Sequence, residues 1–188
     1  MSLPHDAVLL VIDVQEGFDD PRWGRRNNPD AEANIARLLQ AWRRTGRPVV
    51  FVRHDSRVPG SPLAPGTPGN RIKAIVAPTS AEPVVSKSVH SAFIGTDLES
   101  RLRGRGWRTV VVTGLTTDHC CSTTARMAAN LGFETYFVAD ATATFDRRGP
   151  GGQVFAAEVV HAVELAALHE EFARVVTTEQ LLRETGEA

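Results

Sequence analysis

Two adjacent cysteines, Cys120 and Cys121, are the only thiols among the 188 residues of this sequence. They stand in the stretch TGLTTDHCCSTTARMAANLGF, where a predicted strand is followed by a predicted helix. A disulfide, a metal site, a small core residue and a nucleophile are the roles to weigh. Adjacent cysteines close only a strained ring that links nothing distant, so the sequence holds no disulfide framework.

A carboxylate and an amine are predicted to lie near these thiols. Asp13 is the second-last residue of the apolar run AVLLVIDV at 7–14. Lys87 is the last residue of the segment PVVSK at 83–87. Because the carboxyl ends of parallel strands meet at one edge of a sheet, both side chains are expected beside a cysteine there. A thiol has a pKa of about 8.5, which a helix N-terminus and a nearby cation can lower. A carboxylate can then move the proton between thiol, leaving group and water.

Each of these residues also has an ordinary structural interpretation. Asp13 alone could cap a turn, Lys87 alone could be a surface lysine, and a lone cysteine is commonly a small buried residue. The combination favours a thiol nucleophile, because the acid and the amine supply what a thiol needs. Helix geometry leaves open which thiol faces the site: small residues form a stripe through Cys121, and Cys120 belongs to a mixed stripe.

The residues before the cysteines could provide oxyanion donors. The segment GLTTD at 114–118 joins the strand to the helix within a few residues. Thr117 or Asp118 is expected to cap the helix. Backbone N–H groups would then face the crevice, where they could stabilise a developing oxyanion.

Strand and helix signals alternate along the chain and must position these side chains. Apolar runs predict strands at 7–14, 48–53, 83–87, 108–113, 134–140 and 173–177. Four helices are predicted. The first covers 30–45, and the second begins with a capping box at 96–99 and ends at about 103. The third contains the cysteines and ends at about 132, and the fourth covers 153–170. This alternation predicts an α/β fold: one three-layer α/β/α domain over 1–188 with a mostly parallel, doubly wound sheet. The long Pro-, Gly- and Ser-rich connection at 55–83 is interpreted as a functional loop.

Composition argues against several classes of function. The formal charge of −1 gives no support for a nucleic-acid or membrane-surface partner. No segment approaches the roughly 18 apolar residues of a membrane span. The N-terminus lacks a basic lead and a cleavage site, so it is interpreted as a strand and not a signal peptide. A cytoplasmic location is expected.

Taken together, these residues resemble the isochorismatase-like cysteine hydrolases, which include nicotinamidases, N-carbamoylsarcosine amidases, ureidoacrylate amidohydrolases and biuret hydrolases. The similarity extends from 7 to about 177. The segments that carry it are IDVQ at 12–15 with Phe18, KSVHSAF at 87–93 with TDL at 96–98, and GLTTDHC at 114–120 with Thr124 and Ala125. In the family pattern G-x-x-T-x-x-C with T-A after it, only Cys120 stands at the cysteine position.

The resemblance implies a catalytic triad of Asp13, Lys87 and Cys120. It also implies a cis peptide bond between Leu115 and Thr116, with the backbone N–H groups of Thr116 and Cys120 forming the oxyanion hole. Thr116 replaces the alanine or serine of many relatives, which affects the expected pocket shape. The residues expected to bind substrate are Gln15, Phe18, Trp23, His54 and His90.

The resemblance also bears on cofactors and partners. Nicotinamidases carry an Asp-x-His pair after the second strand and further histidines in the next loop, whereas this chain has RHDS at 53–56 and no histidine between 57 and 89. Because zinc requires three or four ligands, no metal is predicted, and no other cofactor. The expected partners are a small amide or ureide substrate and further copies of the chain in a homodimer or homotetramer.

The predicted function is a cysteine-dependent hydrolase that cleaves a C–N bond of a small amide, carbamoyl or ureido compound through a thioester. The alternatives are an isochorismatase-type enol-ether hydrolase, which uses no cysteine nucleophile, a non-catalytic binding member of the same fold, and a redox role for the vicinal pair. The redox role is disfavoured by ring strain and by the lack of C-x-x-C spacing.

Overall fold

The computed structural model describes residues 3–186. In chain order, its strands and helices are β1 (Val8–Ile12), α1 (Ala31–Arg44), β2 (Val49–His54), β3 (Val84–Lys87), α2 (Leu98–Gly104), β4 (Thr109–Leu115), α3 (Ser122–Asn130), β5 (Glu134–Ala143), β6 (Arg147–Arg148), β7 (Val154–Phe155), α4 (Ala157–Leu168), β8 (Arg174–Val176) and α5 (Thr178–Thr185). The main sheet has the order β3-β2-β1-β4-β5-β8 and all its pairs are parallel. The α/β prediction is therefore confirmed.

The central strands are apolar on both faces because helices cover both. Along β1, Leu9 and Val11 pack in one core cluster with Leu38 of α1. Val8, Leu10 and Ile12 of β1 pack in a second cluster on the opposite face, with Leu102 of α2 and with residues of α3. Burial on two sides explains why the sequence shows continuous apolar runs here and not an alternating pattern.

Strands β1 and β4 approach each other unusually closely at Gly114, next to the point where Asp13 leaves β1. Gly114 has φ +124°, and a Cβ atom added there would lie 1.9 Å from the carbonyl oxygen of Ile12. The register between β4 and β5 also shifts at this residue. A glycine at 114 thus allows two catalytic strand ends to lie side by side.

Replacing Gly114 with alanine should lower the free energy of unfolding by more than about 3 kcal/mol, because the new methyl group meets fixed backbone. Urea denaturation would measure the change. Gly46→Ala is the matched control, since Gly46 also has positive φ but an added Cβ meets nothing within 4 Å. Equal losses for the two variants would contradict a close approach at Gly114.

The predicted capping box at 96–99 is wrong. Helix α2 begins at Leu98, and Asp97 is its N-cap residue without a side-chain cap. The Thr96 hydroxyl instead donates to the carbonyl of Ala92 at 2.5 Å, and Glu99 pairs with Arg103 at 2.8 Å. Thr96 also accepts from the N–H of Leu98 at 3.3 Å, but the return bond from Glu99 that a capping box requires is replaced by the pair with Arg103.

The predicted caps of the cysteine helix are also wrong. Residues Thr117–Cys121 form a single π-helical turn before α3, and Thr116 at its N-cap makes no side-chain cap bond. The Thr117 hydroxyl bonds with Nδ1 of His161 at 2.8 Å, while Asp118 accepts from Arg147. Both side chains therefore tie the turn to neighbouring elements.

The C-terminal third differs from the predicted elements in two places. Helix α4 begins at Ala157, later than the predicted 153, because the residues before it form a small antiparallel hairpin of β6 and β7. Helix α5 was not predicted, although Thr177 and Gln180 form a reciprocal capping box at its start. Within residues 3–186, no helix combines the length and apolar character of a membrane span.

Candidate active site

The carboxyl ends of β1 and β3 and the turn after β4 bring Asp13, Lys87 and Cys120 into contact. Lys87 Nζ lies 2.6 Å from Asp13 Oδ2 and 3.2 Å from Cys120 Sγ. The side chains of Asp13 and Lys87 are fully buried, and Cys120 is 6% exposed. The residues predicted as a triad thus form one cluster. Cys121 is fully buried in the second core cluster, among small residues of α3.

The second carboxylate oxygen of Asp13 is free to act on a proton. Asp13 Oδ1 is buried and has no hydrogen-bond partner among the described residues. A buried acceptor without a partner is unusual, because its desolvation is not compensated. Since Oδ2 is held by Lys87, Oδ1 is the atom able to receive a proton from a thiol or a water molecule.

The surroundings of Cys120 favour the protonated form of its thiol. Burial raises the pKa of Cys120, the Asp13 carboxylate raises it further, and Lys87 only partly offsets them. Burial lowers the pKa of Lys87, but Asp13 and Cys120 outweigh burial and the net pKa is raised. The nearby cation lowers the thiol pKa as predicted, but burial and Asp13 outweigh it, so the net pKa of Cys120 is raised.

The peptide bond between Leu115 and Thr116 is cis, as the resemblance implied. Thr116 and Cys120 both line a cavity of about 310 Å³ above the triad. Phe18 and Trp23 form an aromatic wall of this cavity, with ring centroids 5.3 Å apart. His54 and His90 line it too, and His90 Nδ1 lies 3.6 Å from Cys120 Sγ.

Gln15 lies outside this cavity, which corrects the prediction that it binds substrate. Its side chain is fully buried and its amide nitrogen donates to the carbonyls of His54 and Asn70 at 3.1 and 3.0 Å. Its amide oxygen accepts from the N–H of His54 at 2.8 Å. Backbone groups thus satisfy the whole amide, and Gln15 fixes the end of β2.

Sequence analysis missed Arg147, which lines the cavity beside the turn that carries Thr116. Its guanidinium donates to Asp118 Oδ2 at 2.7 Å and to Thr116 Oγ1 at 3.3 Å. Burial raises the pKa of Asp118, but hydrogen bonds from Arg147 and Thr144 outweigh it and lower the pKa to about 2. His119 also lines the cavity, and the sequence analysis did not predict it. The only signal for Arg147 was its place shortly after the predicted fifth strand.

A metal-type donor set is present at the triad, and the sequence prediction did not foresee it. Ligand atoms of Asp13, His54 and Cys120 all lie within 4.8 Å of one another. The Lys87 ammonium contacts all three, at 2.6, 3.1 and 3.2 Å, and so already supplies a cation to this set. A metal ion would have to displace Lys87, so the donor set as arranged does not fit one.

Comparison with known proteins places the chain in a family. The isochorismatase domain model matches residues 7–180. The chain is 47% identical over 177 residues to the isochorismatase family protein YrdC of Bacillus subtilis, covering 94% of this chain and 95% of YrdC. A solved isochorismatase-family structure from Chromobacterium violaceum superposes with a TM-score of 0.95 at 43% identity, covering 100% of this chain and 99% of that one.

More distant relatives carry functional names. Nicotinamidase 3 of Arabidopsis thaliana is 32% identical, covering 94% of this chain and 87% of its own. Ureidoacrylate amidohydrolase RutB of Variovorax paradoxus is 29% identical, covering 73% and 68%. A cysteine hydrolase structure from Pseudomonas syringae superposes with a TM-score of 0.89 at 29% identity, covering 98% and 94%. The chain belongs to the isochorismatase family, and it is a hydrolase.

Proposed function

We propose that this protein is a cysteine amidohydrolase that cleaves a C–N bond of a small amide, carbamoyl or ureido compound. The observation that carries the proposal is the buried Lys87 ammonium, which contacts both Asp13 and Cys120 at the floor of the cavity. Relatives named nicotinamidase and ureidoacrylate amidohydrolase support the reaction class. The cavity volume suits a small molecule and not a polypeptide.

In the acylation half-reaction, Asp13 Oδ1 takes the thiol proton while Cys120 Sγ attacks the carbonyl carbon. Lys87 stabilises the negative charge as it moves between sulfur and carboxylate. The backbone N–H groups of Thr116 and Cys120 stabilise the oxyanion. When the tetrahedral intermediate collapses, the C–N bond breaks, and Asp13 returns its proton to the leaving nitrogen. Ammonia or an amine departs, and a thioester remains on Cys120.

In the deacylation half-reaction, a water molecule replaces the departed amine. Asp13 takes one proton from that water as its oxygen attacks the thioester carbonyl. Collapse of the second tetrahedral intermediate breaks the C–S bond. Asp13 then returns the proton to Cys120 Sγ, so the thiol and the ion pair are restored. The same carboxylate serves as base and acid in both halves.

A panel assay tests the reaction class. Purified enzyme is incubated with small amides, nicotinamide, carbamoyl amino acids, biuret and ureidoacrylate, and released ammonia is measured. The proposal expects release from at least one member. Isochorismate is included, with its disappearance followed by chromatography because its cleavage releases no ammonia, since an enol-ether hydrolase would cleave it without using Cys120. Turnover of isochorismate alone would replace the proposed function, and inertness toward the whole panel would favour a binding role.

We also propose that the protein self-associates through α4 and the neighbouring hairpin. Helix α4 is rich in alanine and valine, and Val159 and Val163, one turn apart, are 50% and 64% exposed. Val154 and Phe155 of the hairpin, which precede α4 in the sequence, are also exposed. Exposed apolar side chains that are grouped in this way are expected to be covered, which a second copy of the chain would achieve.

The double variant Val159→Glu/Val163→Glu should therefore have a lower mass than the wild type in size-exclusion chromatography with light scattering. Burying two carboxylates between copies is unfavourable without partners. Ile75→Glu is the control, because Ile75 is 56% exposed and lies outside α4. A wild type that is already monomeric would contradict the proposed interface, as would a double variant that keeps the wild-type mass.

A further inference from the structure

The Lys87 ammonium has a third partner that the proposed reaction does not use. Its nitrogen lies 3.1 Å from His54 Nδ1, in addition to its contacts with Asp13 and Cys120. A lysine ammonium has three N–H donors and no acceptor, so three partners use all of them. His54 Nδ1 must therefore accept, which assigns the ring proton to Nε2, on the other side of the imidazole.

The backbone of His54 is fixed on both sides, so its ring is held in a defined place. Its N–H donates to the amide oxygen of Gln15 at 2.8 Å. Its carbonyl accepts from the amide nitrogens of Gln15 and Asn70, at 3.1 and 3.0 Å. His54 and Lys87 are also register partners of the parallel strands β2 and β3. Two buried amides thus hold the residue that contacts the lysine.

The surroundings of His54 keep its ring neutral. Burial lowers the pKa of His54, and the adjacent Lys87 charge lowers it further, followed by His90. Asp13 and Asp55 act in the opposite direction, but the net pKa is lowered. A neutral ring is the form able to accept a hydrogen bond from an ammonium. The electrostatics are therefore consistent with the geometry.

We propose that His54 is a positioning residue of the catalytic centre, which accepts one N–H of Lys87 and thereby directs the other two toward Asp13 and Cys120. The inference rests on the proposed role of Lys87. It assigns a purpose to the buried amides of Gln15 and Asn70, which touch no part of the triad but fix the strand end that carries His54. Without this acceptor, the ammonium would rotate away from the sulfur to satisfy its third donor.

Three substitutions separate positioning from a role in lining the cavity. His54→Asn keeps an acceptor where Nδ1 lies, His54→Gln moves the acceptor outward by one methylene, and His54→Leu removes it. All are made in a Cys121→Ala background, and circular dichroism checks folding. The readouts are the rate of Cys120 alkylation by iodoacetamide at pH 8, located by mass spectrometry, and kcat and KM on the best substrate from the panel.

His54→Leu should slow alkylation about tenfold, the change that corresponds to one unit of thiol pKa. It should also lower kcat with little change in KM, and His54→Asn should recover most of both losses. If His54→Leu does not fold, the contrast between the Asn and Gln variants replaces it, with only Asn expected to be reactive. Unchanged alkylation in the folded variants, or a change confined to KM, would overturn the proposal.

Alkylation needs no amide substrate, so the two proposals can fail separately. If no amide is cleaved but the Asn variant still recovers alkylation, the reaction class falls and the positioning role stands. If amides are cleaved but all three variants alkylate like the parent, the positioning role falls and the reaction class stands.

Discussion

Cys120→Ala is expected to reduce amide hydrolysis by at least about 10⁴-fold in kcat, since removing a covalent nucleophile leaves only binding and oxyanion stabilisation. Cys120 Sγ is the one thiol that contacts Lys87, at 3.2 Å, and that lines the cavity. Ammonia release under saturating substrate measures the loss. The variant should still bind substrate, because the cavity walls are unchanged.

Cys121→Ala is the matched control for this prediction. The two thiols are adjacent, but Cys121 is fully buried in the core and does not line the cavity. We expect kcat within about threefold of the wild type and a loss of about 1 kcal/mol in the free energy of unfolding. Activity that survives in Cys120→Ala, or disappears in Cys121→Ala, would contradict the assignment of the nucleophile.

Lys87→Met is expected to have the second largest effect, on both catalysis and stability. The side chains of Lys87 and Asp13 are fully buried, so removing the cation leaves a carboxylate without its partner. Breaking a buried ion pair in this way costs about 3–5 kcal/mol. The rate should fall on the order of 10³-fold, because the Cys120 thiol also loses the contact with a cation that lowers its pKa. Urea denaturation and ammonia release measure the two effects.

Lys73→Met distinguishes the catalytic loss from the general cost of removing a lysine that pairs with a carboxylate, since Lys73 is only 12% exposed. Lys73 Nζ contacts Asp19 at 2.5 Å and Glu32 at 2.8 Å, and it does not line the cavity. This variant should lose stability but keep kcat/KM near the wild-type value. If both lysine variants lose activity in proportion to their stability, Lys87 has no specific catalytic role.

The sheet and the triad were predictable because both follow from local patterns. Two-sided burial produces the apolar runs of β1 and β4, and the residue after such a run must lie at the carboxyl edge of the sheet. Asp13 was found in this way, and Lys87 was found from its place at the end of the short apolar segment that forms the edge strand β3. Choosing Cys120 over Cys121 needed the family pattern, since helix geometry alone left the choice open.

Other features depend on contacts between segments that are distant in sequence. Gln15 was expected in the pocket, but its amide is satisfied by β2 and the loop that follows it. The bond between Lys87 and His54 requires the register of β2 against β3, which no local pattern specifies. The raised thiol pKa reflects burial of the assembled site. Arg147 reaches the turn that carries Thr116 through a hairpin that the sequence did not reveal.

The most direct test of the account is to trap the acyl group on the enzyme. Wild-type protein is mixed with the best substrate, quenched with acid during turnover, and digested for mass spectrometry. A parallel reaction contains hydroxylamine, which converts a thioester to a hydroxamate. The account expects the acyl mass on Cys120 or hydroxamate formation that requires Cys120. Full ammonia release with an adduct on Cys121, or with neither adduct nor hydroxamate, would contradict it.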